Sequence, residues 1–336
     1  MGTPTSVHAP HPPDPHSLGQ ALAPQLAEAC GGRLGPISWF RSVWQHGGAA
    51  TGFAEWRDDS GRPLPVMVKL PVGSVEYRWT TSLGRPEQGG DSECPTPRVL
   101  ACGESVGGYD LAWLVIERLT GHPLSHGMTE QSVLDLLHAA ADFHDAARRV
   151  RPVDSPPATP DWAALLDKAR ELTRKGAMPE PQRWNEAVKR VQKALGVLQR
   201  KWAARPITEW CHGDLHPGNA LRRPVGTSAA AVARNGCVLV DLALVHAGHW
   251  VEDAVYLERL YWGKPDELHG AKPVTALARL RRERGLHGDD GYADLAMVRR
   301  VLMAACVPVY ADREGHHKYT HAALEIIEHG LSQVSH

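Results

Sequence analysis

The run Cys211-His212-Gly213-Asp214-Leu215-His216-Pro217-Gly218-Asn219, followed after a gap by Val238-Leu239-Val240-Asp241, decides the fold. Apolar residues lead into both pieces, so each reads as a short buried strand that delivers polar residues to a loop. An Asp, an Asn five positions later and a second Asp closing another strand make a set suited to phosphoryl transfer. That chemistry needs one carboxylate to orient an attacking hydroxyl and accept its proton. It also needs an amide oxygen and a second carboxylate to hold magnesium against the phosphates. Asp214 fits the first role, as the base, and Asn219 and Asp241 fit the second.

At these residues the sequence resembles the aminoglycoside phosphotransferase-like family of small-molecule kinases, relatives of choline and homoserine kinases. The family's His-Gly-Asp-x-x-x-x-Asn stands here as His212-Gly213-Asp214 through Asn219, and Asp241 takes the place of the magnesium-binding Asp of protein kinases. The second family motif, an Asp, a spacer, a Gly and an Asp-Leu-Ala-like triplet, is matched by Asp241, Gly248 and Asp253-Ala254 with Leu replaced. The resemblance implies an α+β, protein kinase-like two-lobed fold, with a small N-terminal antiparallel-sheet lobe and a larger, mainly helical C-terminal lobe. It also implies ATP as donor, with GTP open, magnesium as cofactor and a small hydroxyl-bearing acceptor. Leu242-Ala243 stands where protein kinases have Phe-Gly, and no Ala-Pro-Glu-like motif follows, which favours a small molecule over a protein acceptor.

Composition sets the bounds. The chain has 336 residues, 43% hydrophobic and 22% charged, enough for two lobes with a substantial core. A net charge of −1 gives no electrostatic case for nucleic acid or an anionic membrane surface. No apolar run approaches a bilayer-spanning length, and no basic region plus apolar core reads as a signal peptide. The six cysteines show no Cys-x-x-Cys spacing and read as reduced, mostly buried thiols. The chain is therefore placed in the cytoplasm, where ATP is available; the composition leaves its oligomeric state open.

Residues 1–16, rich in Pro and His, read as a disordered leader. The N-terminal lobe is assigned to 17–116, the hinge to 117–121 and the C-terminal lobe to 122–336. Apolar spacing predicts a helix over 17–30, stopped by Gly31-Gly32, and then a strand over 37–44. Gly47, Gly48 and Gly52 make a hairpin whose backbone amides can approach phosphates unobstructed. The apolar strand 65–70 carries Lys69, whose ammonium calls for an anionic partner. The resemblance makes that partner the α- and β-phosphates, with Glu76 at the start of a helix holding the lysine. Glu87 and Glu93, among Gly and Pro, read as loop acids. The strand over 111–119 ends where the family has its hinge, so the backbone at Glu117 and Leu119 is assigned to the adenine edge.

The C-terminal lobe should carry helices over 133–147, 161–175 and 185–202. His144 reads as a packing histidine, His212 as orienting its loop and Asp253 as capping a helix or bracing that loop. Residues 222–236 read as an elongated hairpin tip, and His316, His317 and His321 as an exposed helix face. In the family the acceptor enters between this region and the catalytic loop. Here Glu258, Asp266, Glu267, Asp289 and Asp290 are nearly balanced by Arg279, Arg281, Arg282 and Arg284, so a polycationic acceptor is not implied. Two other readings stand beside the kinase. A metallohydrolase could use His212, Asp214 and His216, with His246 and His249 downstream, but it leaves Lys69 and the Asn219–Asp241 pairing unexplained. A kinase-like nucleotide-binding protein without turnover would be marked by loss of Asp214 or Asp241, and both are present.

Overall fold

The computed structural model describes residues 15–40, 49–85, 94–157, 159–176, 178–223, 236–286, 291–314 and 316–334. Most of the leader, Gly47 and Gly48, Glu87 and Glu93, most of the hairpin tip, and Asp289 and Asp290 lie outside the described residues. The chain forms two compact units, Met1–Arg85 with Pro97–Arg118, and Pro86–Thr96 with Leu119–His336.

The first unit begins with α1 (Pro15–Ala29), which stops at Gly31 and Gly32, both at positive φ as a helix end favours. A five-stranded antiparallel sheet follows, built from β1 (Ser38–Phe40), β2 (Ala50–Arg57), β3 (Pro63–Leu70), β4 (Val99–Gly103) and β5 (Trp113–Glu117), with α2 (Ser74–Leu83) between β3 and β4. Its strand order is β1-β2-β3-β5-β4. Asp58 sets the β2–β3 turn, its Oδ1 accepting from the backbone N–H groups of Ser60 and Arg62, each at 2.9 Å. Strand period then sorts the side chains. Val66, Val68 and Leu70 point into a fully buried cluster with Leu22, Leu26 and Trp56. Met67 lies on the other face, with Val72, Leu114, Ile116 and Tyr77 of α2. The same alternation puts Lys69 on the α2 face. Burial of each such aliphatic side chain contributes about 1.5–3 kcal/mol, which fixes the register and with it the direction of the lysine.

The second unit opens, after a coil, with α3 (Glu130–Val150), α4 (Trp162–Arg174) and α5 (Pro181–Ala203). α3 starts three residues before the apolar pattern because Thr129 caps it, its Oγ1 accepting from Ser132 N at 3.2 Å. Four short strands come next, β6 (Glu209–Cys211), β7 (Ala220–Arg222), β8 (Cys237–Leu239) and β9 (His246–Gly248). They pair as β6–β9 and β7–β8. The chain closes with α6 (Val251–Arg259), α7 (Pro273–Glu283), α8 (Tyr292–Ala305), α9 (Val307–Glu314) and α10 (His317–Val334). Trp184, Leu198 and Trp202 of α5 pack with Leu166, Val301, Leu302, Leu324 and Ile327 in the principal core. An antiparallel-sheet N-terminal unit and a mainly helical remainder bear out the expected fold class. Among the described residues, no helix is long and apolar enough to cross a membrane.

Candidate active site

Strand β6 delivers the chain to His212 through three fully buried residues, and its register with β9 sets Cys211 opposite His246. Gly213 follows at φ +83, and a Cβ there would stand 2.2 Å from the carbonyl oxygen of Leu244. Only glycine lets the loop pass that carbonyl. The buried Asp253, at the start of α6, holds the bend from below. Its Oδ2 accepts from His212 N at 2.8 Å and from His144 Nε2 at 2.8 Å, and its Oδ1 from Gly213 N at 2.9 Å. Burial acts to raise the Asp253 carboxyl, but these donors prevail and its pKa is lowered. Both sequence expectations meet here: His144 is fully buried, and Asp253 braces the loop.

His212 is fixed at both ring nitrogens. Nδ1 accepts from Asp214 N at 3.3 Å, so Nε2 carries the proton and donates to Val240 O at 3.0 Å. Burial lowers its pKa and keeps the ring neutral. The arrangement makes His212 a positioning residue that joins the two polar loops. His216 is similarly engaged, its Nδ1 accepting from Gly218 N at 3.0 Å. Both ring nitrogens of His212, and Nδ1 of His216, are thus already committed to backbone partners, which disfavours a metallohydrolase arrangement.

Asp214 is partly buried at the centre. Asn219 Nδ2 donates to its Oδ2 at 2.9 Å and to its backbone oxygen at 3.1 Å. Tyr256, from α6, donates its hydroxyl to Oδ1 at 2.5 Å, and His216 Nε2 stands 3.6 Å from Oδ2. Burial pushes the carboxyl up, but hydrogen bonds from His216, Tyr256 and Asn219 outweigh it and hold the pKa at about 2. Burial and the Asp214 charge together push the Tyr256 phenol well above its usual range, so it remains a donor.

The pairing of β7 with β8, Ala220 opposite Leu239, brings the other two residues together. Val240 N donates to Asn219 O at 2.9 Å, and Asp241 is the next residue. Asp241 takes the left-handed region at φ 64, ψ 66, which Asp tolerates better than most side chains. Its side chain is exposed and has no hydrogen bond or ion pair among the described residues. Asn219 commits its Nδ2 to Asp214, which leaves Oδ1 for a ligand. An amide oxygen and a free carboxylate are the hard oxygen donors that magnesium takes, so these residues fit that ion.

In the first unit, Lys69 Nζ is paired with Glu76 Oε1, both side chains less than a fifth exposed. The strand lysine therefore has a helix acid beside it. Gly52 sits in β2 opposite Val68, where a Cβ would lie 2.4 Å from Ile37 Cγ2. Sheet packing already demands glycine there, whatever else the residue does. Glu117 ends β5, with its backbone N donating to Arg98 O at 2.8 Å and its Oε1 accepting from Arg98 N at 2.9 Å. Leu119 follows in the coil, half-buried.

Sequence reasoning missed Tyr256. The signal that could have found it is spacing, because Tyr256 lies three residues after Asp253 and so on the same helix face. It also missed the internal use of acceptor-side charges: Arg281 pairs with Glu209 at 2.6 Å, Arg284 with Asp142 at 2.6 Å and Arg300 with Glu258 at 2.7 Å. Among the described residues, Cys211, His246 and Glu252 come close enough to share a metal. The chemistry of that set argues otherwise. Burial raises the Cys211 thiol well above its ordinary value, and Glu252 already accepts from Arg205 Nε at 3.1 Å and His249 N at 3.1 Å. It is a buried ion cluster.

A profile of the phosphotransferase enzyme family (APH) matches residues 85–296, more than half of the chain. The chain belongs to that family. The resemblance read from the His212–Asn219 loop and Asp241 is thereby borne out. This phosphotransferase is similar in structure to aminoglycoside phosphotransferase from Alicyclobacillus acidocaldarius, at 15% identity and a TM-score of 0.52 over 98% of each chain. It is also similar to spectinomycin phosphotransferase APH(9)-Ia, solved with ADP and spectinomycin, at 12% identity and a TM-score of 0.51 over 93% of this chain and 98% of that one. At these identities the likeness is one of fold. No curated protein matches the chain in sequence.

Proposed function

We propose that this phosphotransferase moves the γ-phosphate of ATP, or of GTP, to a hydroxyl of a small molecule, with magnesium as its cofactor. The observation that carries the reading is the convergence of Asp214, Asn219 and Asp241, with Asn219 Oδ1 and the Asp241 carboxylate left for a cation while Asp214 is held ionised. Each residue then has one task. Lys69, kept in place by Glu76, holds the α- and β-phosphates. Asn219 and Asp241 hold magnesium, which when bound screens the negative charge of the phosphate oxygens. Asp214 aligns the acceptor hydroxyl with the γ-phosphorus and receives its proton as the new oxygen–phosphorus bond forms and the bond to the leaving diphosphate breaks. A carboxylate with so low a pKa is a weak base. That suits a loose transition state, in which alignment matters more than early proton removal.

A groove that adjoins the loop at Ser125 fits the acceptor. Ser125 N donates to Pro217 O at 3.1 Å, tying one wall to the loop. The groove has a volume of about 580 Å³ and is lined by Met128, Tyr261, Lys264, Asp266 and Glu267, among others. That volume falls within the range of small-molecule sites, roughly 300–1,000 Å³.

Thermal melts with magnesium-ATP and magnesium-GTP, set against the same nucleotides with chelator, test the assignment. A ligand at 100 times its Kd stabilises the native state by roughly 2.7 kcal/mol. The wild type should show a metal-dependent rise in Tm, and Asp241→Asn should lose it. Asp214→Asn should keep the rise and lose phosphate transfer. No rise with either nucleotide would overturn the reading.

A further inference from the structure

Every oxygen of the Asp214 carboxylate is already engaged by the protein. Asn219 Nδ2 and His216 Nε2 approach Oδ2, and Tyr256 donates to Oδ1 at 2.5 Å. Asn219 and His216 belong to the loop, as a rigid catalytic loop requires. Tyr256 does not. It comes from α6, and its phenol is a hydroxyl hydrogen-bonded to the carboxylate that, on the function proposed above, receives an acceptor hydroxyl. The Tyr256 ring is itself held, with the Arg259 guanidinium 5.2 Å from its centroid. α6 is anchored at its start through Asp253, which keeps the ring beside the loop while no acceptor is bound.

We propose that Tyr256 is a guard on the base, which occupies the acceptor's place on Asp214 and keeps water from it until an acceptor displaces the phenol. Nucleotide kinases face a competing reaction, because water is itself a hydroxyl-bearing nucleophile and is always present. A water molecule at Oδ1 would be aligned as the acceptor is, and the γ-phosphate would pass to it, giving diphosphate nucleotide and inorganic phosphate. A phenol that donates to a carboxylate makes a charge-assisted hydrogen bond, stronger than water can replace without help. A true acceptor brings binding energy from the groove beside the loop and can drive the exchange; water brings none. The inference rests on the proposed kinase chemistry and adds to it a selection step before transfer.

The test needs no identified acceptor. Purified wild type, Tyr256→Phe, Asp214→Asn and the double variant are incubated with magnesium-ATP alone, and release of inorganic phosphate is followed. Phe keeps the ring, its packing and its contact with Arg259, and removes only the hydroxyl. Tyr256→Phe should hydrolyse ATP at least about tenfold faster than wild type, the factor set by the weaker end of the range for a hydrogen bond to a charged group. The double variant should fall back to the Asp214→Asn rate, because the gain acts through the base. A gain in rate is a change that a merely structural tyrosine would not produce. Hydrolysis by Tyr256→Phe at or below the wild-type rate, with nucleotide binding intact in the melts, overturns the guard and leaves the kinase reading standing. Lack of nucleotide binding by the wild type overturns both.

Discussion

A methyl group on Gly213 has nowhere to go. The backbone there is left-handed at φ +83, and an added Cβ would meet the Leu244 carbonyl at 2.2 Å. The left-handed conformation alone costs a non-glycine residue roughly 1–2 kcal/mol, and the carbonyl contact adds to it. Gly213→Ala should therefore lose about 2 kcal/mol or more of stability in chemical denaturation, and the surviving folded protein should have a displaced Asp214. Asp253 shows the same dependence from the other side. Asn at that position would turn an amide donor towards one of the N–H groups that the carboxylate now accepts. Breaking such a buried charged set costs about 3–5 kcal/mol, so Asp253→Asn should unfold at clearly lower denaturant than wild type. Both residues are legible in the sequence itself. The resemblance to the family marks them, since its motifs place a Gly directly before Asp214 and an Asp downstream of Asp241, whereas the reasons for them, the Leu244 carbonyl and the N–H groups of His212 and Gly213, emerge only in the fold. Gly52 is only partly legible. Its place after Gly47 and Gly48 points to phosphates, whereas the side chain of Ile37, just before β1, lies so close that packing requires the glycine as well.

At the scale of elements, the site depends on register. Ala220 opposite Leu239 and Cys211 opposite His246 are pairings of only three residues each, yet they bring polar residues from separate loops side by side. A slip of one residue would turn Asn219 to the opposite face. In the first unit, alternation along β3 buries Val66, Val68 and Leu70 on one face and leaves Lys69 for α2 on the other. Lys69 and Glu76 pair between a strand and the first turn of a helix. Glu76→Gln keeps the shape of the side chain and the helix, but frees the lysine to swing. Its fold should survive with a measurable loss of stability, because the pair is largely buried and the change leaves the Lys69 ammonium without its charged partner. Its affinity for magnesium-ATP should fall on the order of tenfold, equal to about 1.4 kcal/mol, when titrated by calorimetry. Strand period makes the lysine visible in the sequence, since an ammonium in an apolar run needs an explanation. Helix period could have done the same for Tyr256, three residues beyond Asp253. The stretch from Ala254 to Tyr261 reads as an ordinary apolar helix, however, and nothing local marks a phenol as a partner for a carboxylate 42 residues earlier.

Over the whole molecule, ionisable groups are unevenly distributed, and that sets the response to acid. The buried cluster of the first unit is assembled from aliphatic and aromatic side chains with one cysteine. The second unit buries carboxylates, among them Glu209, Glu252 and Asp253, against Arg281, Arg205 and His144. These partners are brought together across dozens of residues of sequence, which is why charge counting along the chain suggests a nearly balanced acceptor surface instead. Burial acts to raise both Asp253 and Glu252, but hydrogen bonds and opposite charges leave each with a lowered pKa. A carboxylate with a depressed folded-state pKa stabilises the fold fully above its unfolded value, near 4, and loses that contribution as pH falls through the folded value. His212, also lowered because burial disfavours its charged form, acts in the same direction from about pH 6.5 downward. His246 acts in the opposite direction. Burial lowers it, but Glu252 and the Leu244 carbonyl leave it raised, so its contribution is present at mildly acid pH and is lost as pH rises through the folded value. The carboxylates and His212 together should outweigh this single histidine. Stability measured by urea titration of the far-ultraviolet helical signal should hold above neutrality, decline gradually below about pH 6.5 and fall steeply below about pH 4. The steep part should be shallower in Asp253→Asn, which has no carboxylate there to protonate. A variant as steep as wild type would place the acid sensitivity in other groups.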